Sequence, residues 1–411
     1  MLVISGRQLA WLTRRSYAAN IPKFFVFRCV WEFMLFFPIW VIFLQEARAF
    51  SLTQVTLIDL AFWLTVAFGE IPTGAVADTW GRKPSLMIGV ILTLIAIVLF
   101  ALAPTYPLIL LANALWAIGF TFDSGAALAL LYDSLRQVGR EAEYTRLRGR
   151  LAVVTHVSIA TSGVLGGIVG ALDLTLPFLL YAVLLLAALG LVWSLYEPPQ
   201  ATTARPRTSA RYLATLAHTA QCLRQQAHLR YMLLYSALIP LAISIVGVVF
   251  LQPHARALGL PIAAMGFLVL GLHGVRSLGA ASAHRLASRC GETTWLRLVP
   301  GIVFLAMLGL GLVPTVWGLG FLAIVGLATS AVTPVVEAMI LRHAPAEVRA
   351  TILSVDSLVF RLLWAVVEAG LGVLSDAYGL PTAFLVLGLG SGISLLVVLT
   401  LWGRLPRMSS A

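Results

Sequence analysis

Charge is what this sequence has least of. Only 11% of its 411 residues are Asp, Glu, Lys or Arg, and just 17 are acidic. A water-soluble chain of ordinary usage carries about a quarter charged residues, so water is the wrong solvent for most of this one. Cysteine is scarcer still: Cys29, Cys222 and Cys290 are too few and too scattered for a disulfide framework or a metal cluster. No metal or other cofactor is therefore expected. The sequence also lacks an HExxH metal motif and a phosphate-binding GxxxxGK[S/T] loop, which excludes metalloprotease chemistry and ATP-driven pumping by this chain. With no room for a soluble catalytic domain, an enzyme is not expected. Nor is a cleavable leader, because the first apolar run is long, carries Arg28 and Glu32, and lacks a small-residue cleavage site after it.

What is there is apolar. Hydrophobic residues fill 60% of positions, in runs long enough to cross a hydrocarbon core, at roughly 24–45, 55–77, 84–103, 108–132, 150–172, 177–196, 229–251, 262–283, 297–313, 317–341, 351–375 and 380–402. Lipid offers the backbone no hydrogen-bond partner, so each run must satisfy itself as a helix; all are too long and too continuously apolar for barrel strands. Pro104, Pro107, Pro177, Pro198, Pro199, Pro261, Pro314 and Pro381 sit where such helices end. An all-α membrane protein of twelve transmembrane helices is expected.

The 28 Lys and Arg residues set the orientation. With an internal N-terminus, most fall in cytoplasmic segments, among them Arg7, Arg14, Arg15, Lys23, Arg82, Lys83, Arg136, Arg140, Arg146, Arg148, Arg150 and the group from Arg205 to Arg230. Only Arg48 and Arg256 fall in loops of the other side, and Arg28, Arg276 and Arg361 lie within helices. This positive-inside bias puts both termini in the cytoplasm. It accounts for the net charge of +11 through the lipid bilayer as partner, without nucleic acid.

Residues 197–228 form the one long polar break, with a basic surface helix expected over 211–226. The break separates an N-terminal six-helix bundle (1–196) from a C-terminal one (229–411). A shift of 204 lays Asp133 on Glu337, Glu143 on Glu347, Gly166 on Gly370 and Pro177 on Pro381, as a duplicated, pseudo-symmetric unit requires. The third, sixth, ninth and twelfth helices carry no charge in their interiors. Charges near the bilayer centre must face protein or water, so every third helix is expected to face lipid.

Between the second and third runs the chain reads Gly74-Ala-Val-Ala-Asp78-Thr-Trp-Gly81-Arg82-Lys83, preceded by Glu70-Ile-Pro72-Thr. This resembles the G-x-x-x-D-x-x-G-R-K signature of the major facilitator superfamily, in its expected loop. The preceding stretch resembles a common bacterial, drug-efflux-like branch. The resemblance covers the whole twelve-helix plan and implies a secondary transporter of the cytoplasmic (inner) membrane. It further implies that Asp78 latches onto the start of the eleventh helix near Thr351, and that Arg82 pairs with Asp133. Gly74 is expected at a close helix approach and Gly81 at a tight turn. A worn second copy, Gly279-Ala-Ala-Ser-Ala-His284-Arg285, sets His284 in the aspartate's place at a shift of 206. The fifth helix, Thr161 to Gly170, faintly resembles the glycine-rich antiporter motif, but Val164 stands where a proline is expected; small residues there also serve helix packing.

Secondary transport needs a group that changes protonation. Glu32, one turn after Arg28 on the same face of the first helix, is the first candidate. Asp123, in the fourth helix with no charged neighbour in sequence, is the second. In the eleventh helix Asp356 sits near the start, and Arg361 and Glu368 are two turns apart on one face, as breakable salt bridges would need. His156, His273 and Arg276 are weaker candidates, and Glu70 and Glu337 lie towards cytoplasmic ends. Trp31, Phe33, Phe36, Phe37, Trp40, Trp116, Phe120 and Phe122 give the first and fourth helices aromatic walls suited to apolar or cationic guests. The expectation is proton-coupled export of amphipathic or lipophilic small molecules by a monomer. The alternatives are proton-coupled uptake of a polar metabolite and a non-transporting membrane sensor.

Overall fold

The computed structural model describes residues 6–199, 221–345 and 349–405. Among these the regular structure is helical, and twelve passes follow one another. They are α1 (Gly6–Trp31, resuming at Trp40–Ile42 and Phe43–Ala47), α2 (Leu52–Trp80), α3 (Arg82–Leu102), α4 (Tyr106–Gln137), α5 (Tyr144–Gly170) and α6 (Leu176–Trp193). Then come α7 (Ala227–Leu238, Leu241–Ile245, Val246–Phe250 and Leu251–Ala257), α8 (Ile262–Cys290), α9 (Glu292–Leu312), α10 (Gly320–His343), α11 (Arg349–Tyr378) and α12 (Leu380–Gly403). All but α1 are long and apolar enough to cross a membrane. The basic helix expected over 211–226 falls largely outside the described residues, as does Glu347.

The first pass departs from the continuous run the sequence predicts. Its helix stops at Trp31, and residues 32–39 turn tightly, with Phe33, Phe37 and Ile39 each donating to the carbonyl three residues back. Pro38 has no N–H to continue an α-ladder. The seventh pass breaks likewise at Ile239–Pro240. Each break is followed by a stretch of π-helix, Phe43–Ala47 and Val246–Phe250. Broken helices at membrane depth persist where protein or a cavity covers them, and π segments concentrate at functional sites.

The duplication is visible in the elements. Both α2 and α8 have 29 residues and both α3 and α9 have 21, at an offset of 210 (52 to 262, 82 to 292). The offset falls to 204 at α6 and α12, which begin at Leu176 and Leu380 with Pro177 and Pro381 in their first turns. The expected single shift thus holds only late in each half, and the worn copy needs a correction. In the register of the helices Ser288, not His284, answers Asp78, Gly291 answers Gly81, and Glu292 answers Arg82. Gly81 and Gly291 are both caps with positive φ, 110° and 80°.

The described residues form two compact units. One takes those up to Phe43 and those within Ala61–Arg207 and Ile262–Gly266; the other takes those within Leu44–Leu60, Thr208–Pro261 and Phe267–Ala411. In the first, α3 packs on α4 and α6, and α1 on α4, α5 and α6. In the second the pattern recurs six helices later: α9 on α10 and α12, and α7 on α10, α11 and α12. The charge-free α12 exposes Leu389, Ile393, Leu396 and Leu401, a surface that water would penalise and hydrocarbon accepts.

Candidate substrate and proton site

Three ionisable side chains meet inside the first unit. Arg28 ends α1, and Glu32 stands one residue past that end, its N–H still donating to the Arg28 carbonyl at 3.1 Å. Asp123 comes from the middle of α4. One guanidinium nitrogen, Nη2, bonds Glu32 Oε1, and the other, Nη1, bonds Asp123 Oδ2 at 2.6 Å. The side chains are only 15%, 13% and 7% exposed. The i, i+4 pair was legible; Asp123, which has no charged neighbour in sequence, is paired all the same, since Arg28 reaches it across 95 residues of chain.

The charges do not cancel. One guanidinium faces two carboxyl groups, and Asp123 Oδ1 is buried without a hydrogen-bond donor among the described residues. A buried surplus of one negative charge is costly. Protonating one acid removes it, and so does a cation beside Asp123.

Rings surround the break in α1. Tyr181 of α6 donates its hydroxyl to the Trp31 carbonyl at 2.8 Å, satisfying an acceptor that the broken helix leaves open. Phe36, in the link, stacks on Phe178 (centroids 4.9 Å apart) and meets Trp116 edge-on at 5.4 Å. Trp116 continues to Phe62 at 4.9 Å, and Phe62 to Phe120 at 5.9 Å. An apolar groove of about 570 Å³ runs between α2 and α4, lined by Phe68, Pro72, Ile118 and Phe122 among others, within the size range of small-molecule sites. The link rests on α5, where a Cβ at Gly166 would collide with the Leu35 backbone and one at Gly170 would lie 3.2 Å from Ile39. Gly166 and Gly170 of α5 are thus a packing surface for the broken helix.

The signature loop departs from the expectation at Asp78. A Cβ on Gly125 of α4 would lie 3.9 Å from the Gly74 Cα, so α2 and α4 approach closely at Gly74 as expected, although a Cβ on Gly74 itself would meet no atom within 4 Å. Asp78 pairs with Arg82 at 2.7 Å, and Arg82 Nε lies 3.9 Å from Asp133, so the expected Arg82–Asp133 pair is present but long. Lys83 Nζ sits 5.7 Å from the Trp193 ring centre. Gly81 is required both for its φ of 110° and because a Cβ would lie 2.8 Å from Glu197. Glu197 caps α3, accepting from the Arg82 N–H at 2.7 Å and the Lys83 N–H at 2.6 Å. At the matching corner of the second half the charges are inverted, with Glu292 of α9 bonded to Arg342 of α10 at 2.8 Å.

A model of the Major Facilitator Superfamily matches residues 24–368 of this chain. The chain belongs to that superfamily. Solved structures agree in fold. A mutant of the nucleoside transporter NupG is 14% identical with a TM-score of 0.76, covering 93% of this chain and 99% of its own. A bacterial homologue of the human lysosomal transporter Spinster, inward-facing and unoccupied, is 17% identical at 0.69 over 94% and 95%. A D-xylose–proton symporter is 16% identical at 0.68 over 95% and 99%. At these identities the likeness is one of fold. No curated protein matches the chain.

In this major facilitator transporter the candidates of α11 lie in the second unit. Asp356 of α11 accepts the Ser236 hydroxyl of α7 at 3.1 Å. The partners of Glu368 are Trp364 and Asp59, not Arg361. Asp59 and Glu197 escaped the sequence reading. Asp59 stood at the edge of an apolar run, and Glu197 at the head of a Pro-rich linker; an acid directly before Pro-Pro at a helix end was the one available signal for the latter.

Proposed function

We propose that this transporter exports small amphipathic compounds, lipophilic cations foremost, in exchange for protons. The observation that carries the reading is the surplus carboxyl group of the Arg28–Glu32–Asp123 cluster beside an aromatic wall. A proton and an organic cation are interchangeable answers to the same surplus charge, and rings add cation–π attraction. In this reading Glu32 and Asp123 exchange the proton and Arg28 holds them in register. Two bundles, 1–196 and 229–411, alternate access about the linker 197–228. Gly74, Asp78, Gly81, Arg82, Lys83 and Asp133 form the cytoplasmic gate, and Asp356 and Arg361 belong to its network. The protein works as a monomer in the cytoplasmic membrane with both termini inside, as its basic loops favour.

A second reading, proton-linked uptake of a polar metabolite, draws on the nucleoside transporter and the D-xylose–proton symporter that share the fold. Proteoliposomes with an imposed proton gradient separate the two. Ethidium and other cationic dyes should collapse the gradient, and Glu32→Gln or Asp123→Asn should abolish the response. Silence with every lipophilic compound, together with a response to nucleosides or pentoses, overturns export in favour of uptake.

A further inference from the structure

The start of α2 and the end of α11 meet along one stripe of the second unit. Asp376 accepts the N–H of Leu52 at 3.0 Å and of Thr53 at 2.7 Å, closing two donors that every helix start leaves open and setting negative charge at the positive end of the dipole. One turn along, a Cβ at Gly372 would collide with Thr56 Oγ1, so the helices touch there. One turn further, Glu368 meets Asp59. The α11 positions step by four and the α2 positions by three or four, as one antiparallel seam between two helix faces requires.

Glu368 closes this seam and is 1% exposed. Trp364 Nε1 donates to its Oε2, while Oε1 is buried and receives no hydrogen bond from a donor among the described residues. The titratable group that faces it from the packed helix is Asp59, in hydrogen-bond contact; on its own helix the contact is the neutral Trp364. Ionised carboxylates are acceptors only, so two in contact require a proton between them.

We infer that Asp59 and Glu368 form a second proton-binding site, one proton shared between two carboxyl groups, and that the seam closes only when it is occupied. When the seam parts and water enters, the O–H bond breaks, the proton leaves to water and its electron pair stays on the carboxylate. Closing again takes a proton up. The inference rests on the proton-coupled reading for its place in a transport cycle, but not for its test.

The test is infrared difference spectroscopy of the full-length protein in lipid nanodiscs, in H₂O and D₂O, as pH is stepped. The wild type should show a protonated-carboxyl C=O band that Glu368→Gln removes, Asp59→Asn shifts or removes, and Glu32→Gln leaves in place. Protection of the segment 52–60 from hydrogen exchange, taken relative to the intrinsic amide rate at each pH, should rise as pH falls in the wild type and lose that dependence in Glu368→Gln. Glu368→Asp, which keeps the acid, guards against a folding defect and should retain the band. A band indifferent to both Glu368→Gln and Asp59→Asn overturns the site; protection that still rises with falling pH in Glu368→Gln overturns the link to closure. No transported compound enters either measurement, so a failed export assay leaves these results standing, and a failed band leaves the export assay standing.

Discussion

Two buried acidic sites in this protein are built on opposite plans. At the first, a guanidinium stands between two carboxyl groups and one negative charge is left over. At the second, carboxyl meets carboxyl and an indole N–H supports one of them. The difference teaches what each can respond to. In the function proposed above, the arginine-centred cluster trades its surplus between a proton and a foreign cation, with aromatic rings beside it to attract the cation. The carboxyl pair sits in a seam where the two helices are already in contact one turn away, at Gly372 and Thr56, and in the inference above it takes a proton alone.

The largest effect expected from breaking this contrast is at Arg28. Arg28→Met leaves two buried acids facing each other and should lower stability by about 3–5 kcal/mol, seen as an earlier thermal unfolding transition in detergent. Adding Glu32→Gln and Asp123→Asn should recover most of the loss. Next comes the support of the first site. Gly166→Ala pushes the Leu35 backbone and with it the link carrying Phe36, at a cost of about 1–3 kcal/mol and with weakened dye binding. Asp376→Ala removes the cap from α2 and should cost about 1 kcal/mol, read from the same melts. The smallest effect is at Glu368. Glu368→Gln replaces the shared proton by an amide N–H that still donates to Asp59, so the change should stay within about 1 kcal/mol. Equal losses for Arg28→Met and Glu368→Gln would dissolve the contrast.

Much of this was legible in the chain. Solvent and helix number follow from apolar runs, and Arg28–Glu32 and the Gly81-Arg82-Lys83 turn are local patterns that helix geometry reads directly. What stayed hidden were three partners contributed from elsewhere in the chain: Asp123 for Arg28, Asp59 for Glu368, Glu197 for the start of α3. Spacing carries no information about contacts made across 95 residues or more of chain. The break in α1 was hidden for another reason. Pro38 lies in a run apolar enough to look continuous, and the turn depends on Gly166 and Tyr181 receiving it. The second-half gate was misread because a repeat can drift in length. Between α3 and α6 the offset changes from 210 to 204, and a corner that keeps its geometry has exchanged the signs of its charges.

The central claim is that the surplus charge at Arg28, Glu32 and Asp123 is what a proton and a lipophilic cation exchange. It is tested most directly by following proton release in weakly buffered detergent solution as tetraphenylphosphonium binds. The account predicts release of about one proton per bound cation in the wild type, the surplus that two acids and one guanidinium leave, and none in Asp123→Asn. Binding without proton release in the wild type, or unchanged release in both Asp123→Asn and Glu32→Gln, would contradict it.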